Sequence, residues 1–394
     1  MRPPRSITSA SRARFEPRPL TPAASAHLDL IRALAAWAVM WGHVRAHFFV
    51  DYQHVRMRKP AIATLYFFTG FGHQAVMVFF VLSGFLISSS IFHGWASSRW
   101  SWREYAINRA SRLYVVLVPG LILGFLWDKL GSTLFSATGF YLHPLEDLGP
   151  SIAHNQLTLK AFLGNLAFLQ TIVCPTFGSN GPLWSLANEF WYYVLFPFAL
   201  FAGIAWAAHS MRWALPLTIV AVGLGFFLGW DKLVGFLIWL AGCALVLAYA
   251  RFGRLSGRWL IAYAIGSGVA LCVCLGAARI GAPTALGTDW AVGIACALLL
   301  FGVLHIDLGA HSTAYQRLAH LLAGFSYSLY VLHFPFVLFL RAWIGAPQRW
   351  QPQGRYLVFA AAIGLLTLIY AWAVSIFTEN KTSVVRRWMK EALS

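Results

Sequence analysis

Ten stretches of this chain are mostly apolar and about twenty residues long, the length a helix needs to cross the hydrocarbon core of a bilayer. They lie at about 28–49, 70–92, 112–130, 182–206, 212–230, 233–250, 259–277, 289–306, 320–341 and 355–377. In lipid, every backbone polar group has to be bonded within the spanning structure, so runs of this length are confined to helices. The fold class that follows is all-α and integral to the membrane, a bundle of about ten transmembrane helices. Composition agrees: 59% of residues are hydrophobic and 11% charged, against roughly 25% charged in a soluble domain. The 394 residues therefore hold one membrane domain, at 28–378, between a disordered basic tail at 1–27 and a basic tail at 379–394. The apolar segment at 158–173 is short and contains Lys160 and Asn165. Two readings of it stand: an interfacial or re-entrant piece between the third and fourth spans, or an eleventh span that would invert everything after it.

The net charge of +17 would suggest a nucleic-acid partner in a soluble protein. Here no basic patch with interleaved aromatics stands clear of an apolar run, which argues against nucleic acid and leaves the lipid bilayer as the partner of this charge. With the N-terminus in the cytosol, 18 of the 30 Lys and Arg residues fall on the cytosolic side, 11 on the outer side, and Arg32 within the first span. That excess is the positive-inside pattern, and it places both termini in the cytosol. The small-residue stretch Ala23–Ala26 precedes the first apolar run, whereas a secretory cleavage site follows one, so the first helix is expected to be a retained anchor. Cys174, Cys243, Cys272, Cys274 and Cys296 form no Cys-x-x-Cys pair, so neither a zinc site nor a redox motif is indicated. Gly225 and Gly229 make no dinucleotide motif and read as small residues for close helix packing.

Ionisable groups inside spans are costly to bury, which makes each one a functional candidate. Arg32 and His43 are eleven residues apart in the first span. That is about three helical turns, so they share a face, separated by a rise of about 16 Å, near the reach of a pantetheine arm. Either Arg32 holds a phosphate or pantetheine group and His43 meets a thioester, or Arg32 pairs with Asp29 one turn earlier and His43 is a packing histidine. Glu189 in the fourth span and His333 in the ninth reach a similar depth to His43, roughly 8–12 Å below the outer edge of a core about 30 Å thick. A histidine with a carboxylate can take a proton from a hydroxyl, although structural hydrogen bonds would also account for Glu189 and His333. Arg109 and Arg112 share one face at the start of the third span, as a phosphate-binding fork or as positive-inside charge. His43 and His47 are spaced for a metal, but no third ligand is evident, and no metal is expected. Ser83 lacks a Gly-x-Ser-x-Gly elbow, and Ser83-Gly84 reads as a point of helix contact.

These residues sit in motifs that resemble the acyltransferase-3 family of integral-membrane O-acyltransferases. The helix from His27 to His43, with Arg32 and His43 framing it, resembles the family's opening Arg-x10-His helix. Val78-Phe-Phe-Val-Leu-Ser-Gly-Phe-Leu-Ile87 resembles its second-helix signature, and Arg109-Ala-Ser-Arg112-Leu its cytosolic Arg-x-x-Arg motif. Trp184-Ser-Leu-Ala-Asn-Glu189 resembles its Trp-Ser-Leu-x-x-Glu motif, and Ser326-Tyr-Ser-Leu-Tyr-Val-Leu-His333-Phe-Pro335 its late-helix signature. The C-terminal Thr378-Glu379-Asn380 departs from the expected Glu followed by a small residue and Pro.

The resemblance implies an O-acyltransferase of the cell inner membrane. It would move an acyl group, with acetyl the family's usual choice, from cytosolic acetyl-CoA or another acyl-CoA to a hydroxyl of an extracytoplasmic carbohydrate or glycolipid such as a surface polysaccharide or lipopolysaccharide. It implies catalytic roles for His43, Glu189 and His333, and acyl-CoA binding by Arg32, Arg109 and Arg112. Direct transfer and a covalent acyl-histidine both remain open. The outer loop at 131–181, with Tyr141, His143, Glu146, Asp147 and His154, is expected to select the acceptor. A transporter or flippase of an acyl group or polysaccharide precursor is the alternative, since intramembrane charges also mark transport paths.

Overall fold

The computed structural model describes residues 16–136, 141, 156–279, 285–307, 313–345 and 348–393, and these are mostly helical with no strand among them. In chain order the helices are α1 (Pro22–Phe48), α2 (Pro60–Phe68), α3 (Gly72–Ala96), α4 (Trp102–Leu134), α5 (Leu159–Leu166), α6 (Leu183–Ala207) and α7 (Met211–Leu228). There follow α8 (Trp230–Arg251), α9 (Gly257–Arg279), α10 (Ala285–Val303), α11 (Thr313–Ala323), α12 (Ser326–Ile344), α13 (Gly354–Phe377) and α14 (Thr382–Ala392). Each of the ten expected spans has its helix. Among the described residues nine are long and apolar enough to cross a membrane, and the apolar stretch of α10 at Gly287–Val303 is shorter. The segment at 158–173 contributes only α5, whose eight residues rise about 12 Å, too little to span.

The first helix begins at Pro22, so a disordered tail reaching residue 27 needs correction. Its cause is local: the Thr21 hydroxyl accepts the Ala24 N–H at 3.1 Å, and Pro22 occupies the first helical position, where its missing N–H costs nothing. At the other end, α14 makes most of the C-terminal tail helical. Gly229 is not a packing glycine. It closes α7 with φ 78°, a conformation that favours glycine.

The chain forms two compact units. The first comprises the chain up to Arg32, Val76–Arg109 and Asn188–His320. Within it, α3 and α8 approach closely. A Cβ on Gly84 would collide with the carbonyl oxygen of Trp239, and one on Gly242 with that of Val81, so the two backbones meet through paired glycines. Because backbone cannot move aside, Gly84→Ala is expected to destabilise the protein by about 1–3 kcal/mol, read as a lower unfolding temperature in micelles; an unchanged temperature would contradict this packing. Outward on α9, Ile261, Ile265, Val269 and Val273 are all exposed, as a lipid-facing helix requires.

The second unit comprises Ala33–Ala75, Ala110–Ala187 and Leu321–Ser394. Here Gly364 of α13 admits the Trp41 ring of α1, which a Cβ would displace. Proline placement in both units creates specific contacts. A proline within a helix leaves the carbonyl four residues earlier without its N–H partner. Pro197 frees Tyr193 O, which accepts the Tyr105 hydroxyl at 2.8 Å in the first unit. Pro335 frees Val331 O, which accepts Asn180 Nδ2–H at 2.8 Å in the second.

Candidate active site

Two of the intramembrane groups meet in the second unit. His43 Nδ1 and His333 Nε2 are 2.8 Å apart, although 290 residues separate them in the chain. His333 is fully buried and His43 half-buried. His333 Nδ1 lies 2.9 Å from both Leu329 O and Tyr330 O on its own helix. A carbonyl only accepts, so Nδ1 of His333 carries the hydrogen and, in the neutral ring, Nε2 carries a lone pair. His43 Nδ1–H must then be the donor to that lone pair. The consequence is a defined tautomer for His43, with Nε2 unprotonated and facing away from its partner. The Phe334 ring packs edge-on against both His43 and His47, at centroid distances of 4.8 and 5.1 Å.

The surrounding contacts fix the helices that carry these rings. Arg341 of α12 is fully buried and donates to the His47 carbonyl in the last turn of α1, where helix carbonyls lack intrahelical donors. At the start of α12, Glu379 accepts the Ser328 N–H at 2.9 Å and the Ser328 hydroxyl at 3.0 Å. An anionic side chain there also meets the positive end of the helix dipole.

Glu189 is placed in the first unit, where it ends a relay of hydrogen bonds. Trp239 Nε1–H donates to Ser83 Oγ at 3.1 Å, and Ser83 donates to the Tyr193 hydroxyl at 3.1 Å. Tyr193 in turn donates to Glu189, one helical turn before it. The Glu189 carboxylate is therefore an acceptor held by α6 itself.

A hydrogen-bonded imidazole pair and a hydrogen-bonded carboxylate are each groups able to accept a proton, and the family match bears on which chemistry the chain serves. Residues 25–376 match the acyltransferase-3 family, described as an acyltransferase domain. The chain belongs to that family. It is a multi-pass membrane acyltransferase. No curated protein and no solved structure matches it.

The other residues expected to serve the acyltransferase are placed as follows. Arg32 lies on α1 with His43 and pairs with Asp29 at 3.0 Å, and His320 also approaches Asp29 at 3.3 Å. Arg109 and Arg112 lie on α4, with the Arg109 guanidinium 5.9 Å from the centre of the Tyr105 ring. Of the outer-loop residues, Tyr141 is buried against Gly131, while His143, Glu146, Asp147 and His154 lie outside the described residues. Sequence reading missed Tyr193, which its i, i+4 spacing from Glu189 could have suggested. It also missed Asn180, whose only signal was the proline that frees its acceptor, and the capping role of Glu379, visible only once α12 and α13 are packed.

Proposed function

We propose that this acyltransferase is an O-acyltransferase of the cell inner membrane, moving an acetyl or similar acyl group from cytosolic acyl-CoA to a hydroxyl of an extracytoplasmic carbohydrate or glycolipid. The observation that carries this reading is the His333–His43 hydrogen bond, which leaves an oriented imidazole nitrogen with a lone pair. In the proposed reaction, His43 Nε2 removes the proton of the acceptor hydroxyl as its oxygen attacks the thioester carbonyl carbon. The tetrahedral adduct collapses with cleavage of the C–S bond, and the thiolate of CoA takes the proton back from His43. His333 stabilises the intervening imidazolium through its Nε2 lone pair. Neither a redox step nor a metal is required by this balance.

Arg32, about 16 Å of helix from His43, is suited to steady the arm of the donor. Arg109 and Arg112, on one face of α4, are suited to its phosphates through paired N–H donors. Arg112→Ala is expected to raise KM for acyl-CoA roughly tenfold, as loss of one charge-assisted contact would, with little change in kcat. An unchanged KM would remove Arg112 from donor binding.

The deciding experiment uses inside-out and right-side-out vesicles with radiolabelled acetyl-CoA, comparing wild type with His43→Ala. Label reaching lipid- or polymer-linked sugar only when donor is at the cytosolic face, and only with His43 present, supports both the chemistry and its sidedness. No label on any glycan, with the protein intact in the membrane, would favour transport of an acyl group or precursor, or a different donor.

A further inference from the structure

Away from the histidine pair, the second unit buries a group of hydrogen-bond acceptors whose donors are missing. Asp128 of α4 is 1% exposed. Its Oδ2 accepts the Ser179 N–H at 2.7 Å, and its Oδ1 has no hydrogen-bond partner. Asn180 gives its Nδ2–H to Val331 O and Gln170 gives its Nε2–H to Leu183 O at 2.9 Å, which settles the orientation of both amides. Asn180 Oδ1 and Gln170 Oε1 are then acceptors, buried and unpartnered. The Ser179 hydroxyl lies against the Asp128 carboxylate.

The backbone beside Asp128 is shaped for close approach. Gly178 has φ 60°, a left-handed conformation, and a Cβ there would collide with Asp128 Oδ2. One turn beyond Asp128, Gly131 carries the Tyr141 hydroxyl against it. Burial, reinforced by the Asp128 charge, holds the Tyr141 phenol above its ordinary pKa and so keeps it a hydroxyl. Asn180 ties the same loop to Val331, two residues before His333.

Buried acceptors of this kind call for a partner that donates several hydrogen bonds from a small volume. Acyl-CoA does not fit the description: its phosphates are acceptors, and the Asp128 carboxylate would repel them. A sugar ring has the matching chemistry, since each hydroxyl donates one hydrogen bond. We infer that Asp128, Gln170, Ser179 and Asn180 form a binding subsite for the hydroxyl-rich acceptor, tethered to the helix that carries His333. This deepens the acyltransferase reading and rests on it for the role of the ligand, while the binding itself can be read without any transfer.

The test uses the full-length protein in lipid nanodiscs free of glycoside detergent. The probes are the methyl glycosides of glucose, galactose, mannose and N-acetylglucosamine, with CoA as the control ligand, followed by saturation-transfer NMR. Wild type is expected to transfer saturation to at least one glycoside. Asp128→Asn, which replaces an acceptor oxygen with a donor, should weaken that binding about tenfold, the equivalent of one lost hydrogen bond, and leave CoA binding unchanged. Ser179→Ala keeps the backbone bond to Asp128 and is the safer variant for folding; it should weaken glycoside binding in the same direction. Failure of all four glycosides to bind wild type, or equal binding by folded variants, would overturn the subsite and leave these residues as a brace for the loop. Glycoside binding through Asp128 without acyl transfer to any hydroxyl would instead sink the proposed transfer to carbohydrate alone.

Discussion

Replacing His43 with alanine should leave a protein that inserts and folds normally but transfers acyl groups on the order of 10²–10⁴-fold more slowly, the usual worth of a positioned general base. The ring is half-buried, so its removal opens little of the core. Its side chain bonds to His333, and the packing of α1 is held elsewhere, by Trp41 against Gly364 and by Arg341 on the His47 carbonyl. The loss should therefore appear in kcat, with KM for acyl-CoA within about twofold if donor binding is uniform in ground and transition states. The measurement is single-turnover transfer from labelled acetyl-CoA in vesicles matched for protein content. Activity within tenfold of wild type would remove His43 from the chemistry.

What could be read in advance follows from which interactions are local. Helices were legible because each must hide its own backbone in lipid, so a run of apolar residues is sufficient information. The start of α1 was missed although its signal, Thr21-Pro22, is also local; the apolar run begins later and dominated the reading. The short helix α5 was ambiguous by hydropathy, and what decides it is Asn165. This residue bonds Pro175 O and the Phe177 N–H and folds the segment back after two turns.

The site divides in the same way. Depth along each helix is a local quantity, and it grouped His43, Glu189 and His333, of which the structure pairs His43 with His333. Which carboxylate or imidazole orients which ring is not local. Glu189 accepts the Tyr193 hydroxyl of its own helix, and His43 finds its partner on α12. Charge pairs at one-turn spacing were readable, as Arg32 with Asp29 illustrates. The contacts made to carbonyls freed by Pro197 and Pro335 were not. A proline announces that an acceptor is available, and only the packed chain reveals that Tyr105 and Asn180 are the donors.

The second large effect is expected at His333, and two substitutions separate orientation from packing. In His333→Phe a ring of similar size remains, but nothing accepts the His43 Nδ1–H. The imidazole is then free to carry its hydrogen on Nε2, which turns the catalytic lone pair away from the acceptor, and kcat should fall on the order of 10²–10³-fold. In His333→Gln the amide oxygen reaches close to the position of Nε2 and can accept the same hydrogen bond. That variant should retain activity within about tenfold of wild type, since only the strength of the orienting bond changes. Both proteins should bind acyl-CoA as wild type does, because neither change touches the arginines proposed to hold the donor. A purely structural His333 would give the opposite order: phenylalanine tolerated in a site that is fully buried, and glutamine penalised for the polar group it brings there. The ranking of the two variants in kcat, with protein content and unfolding temperature matched, therefore decides whether the two histidines act as one unit.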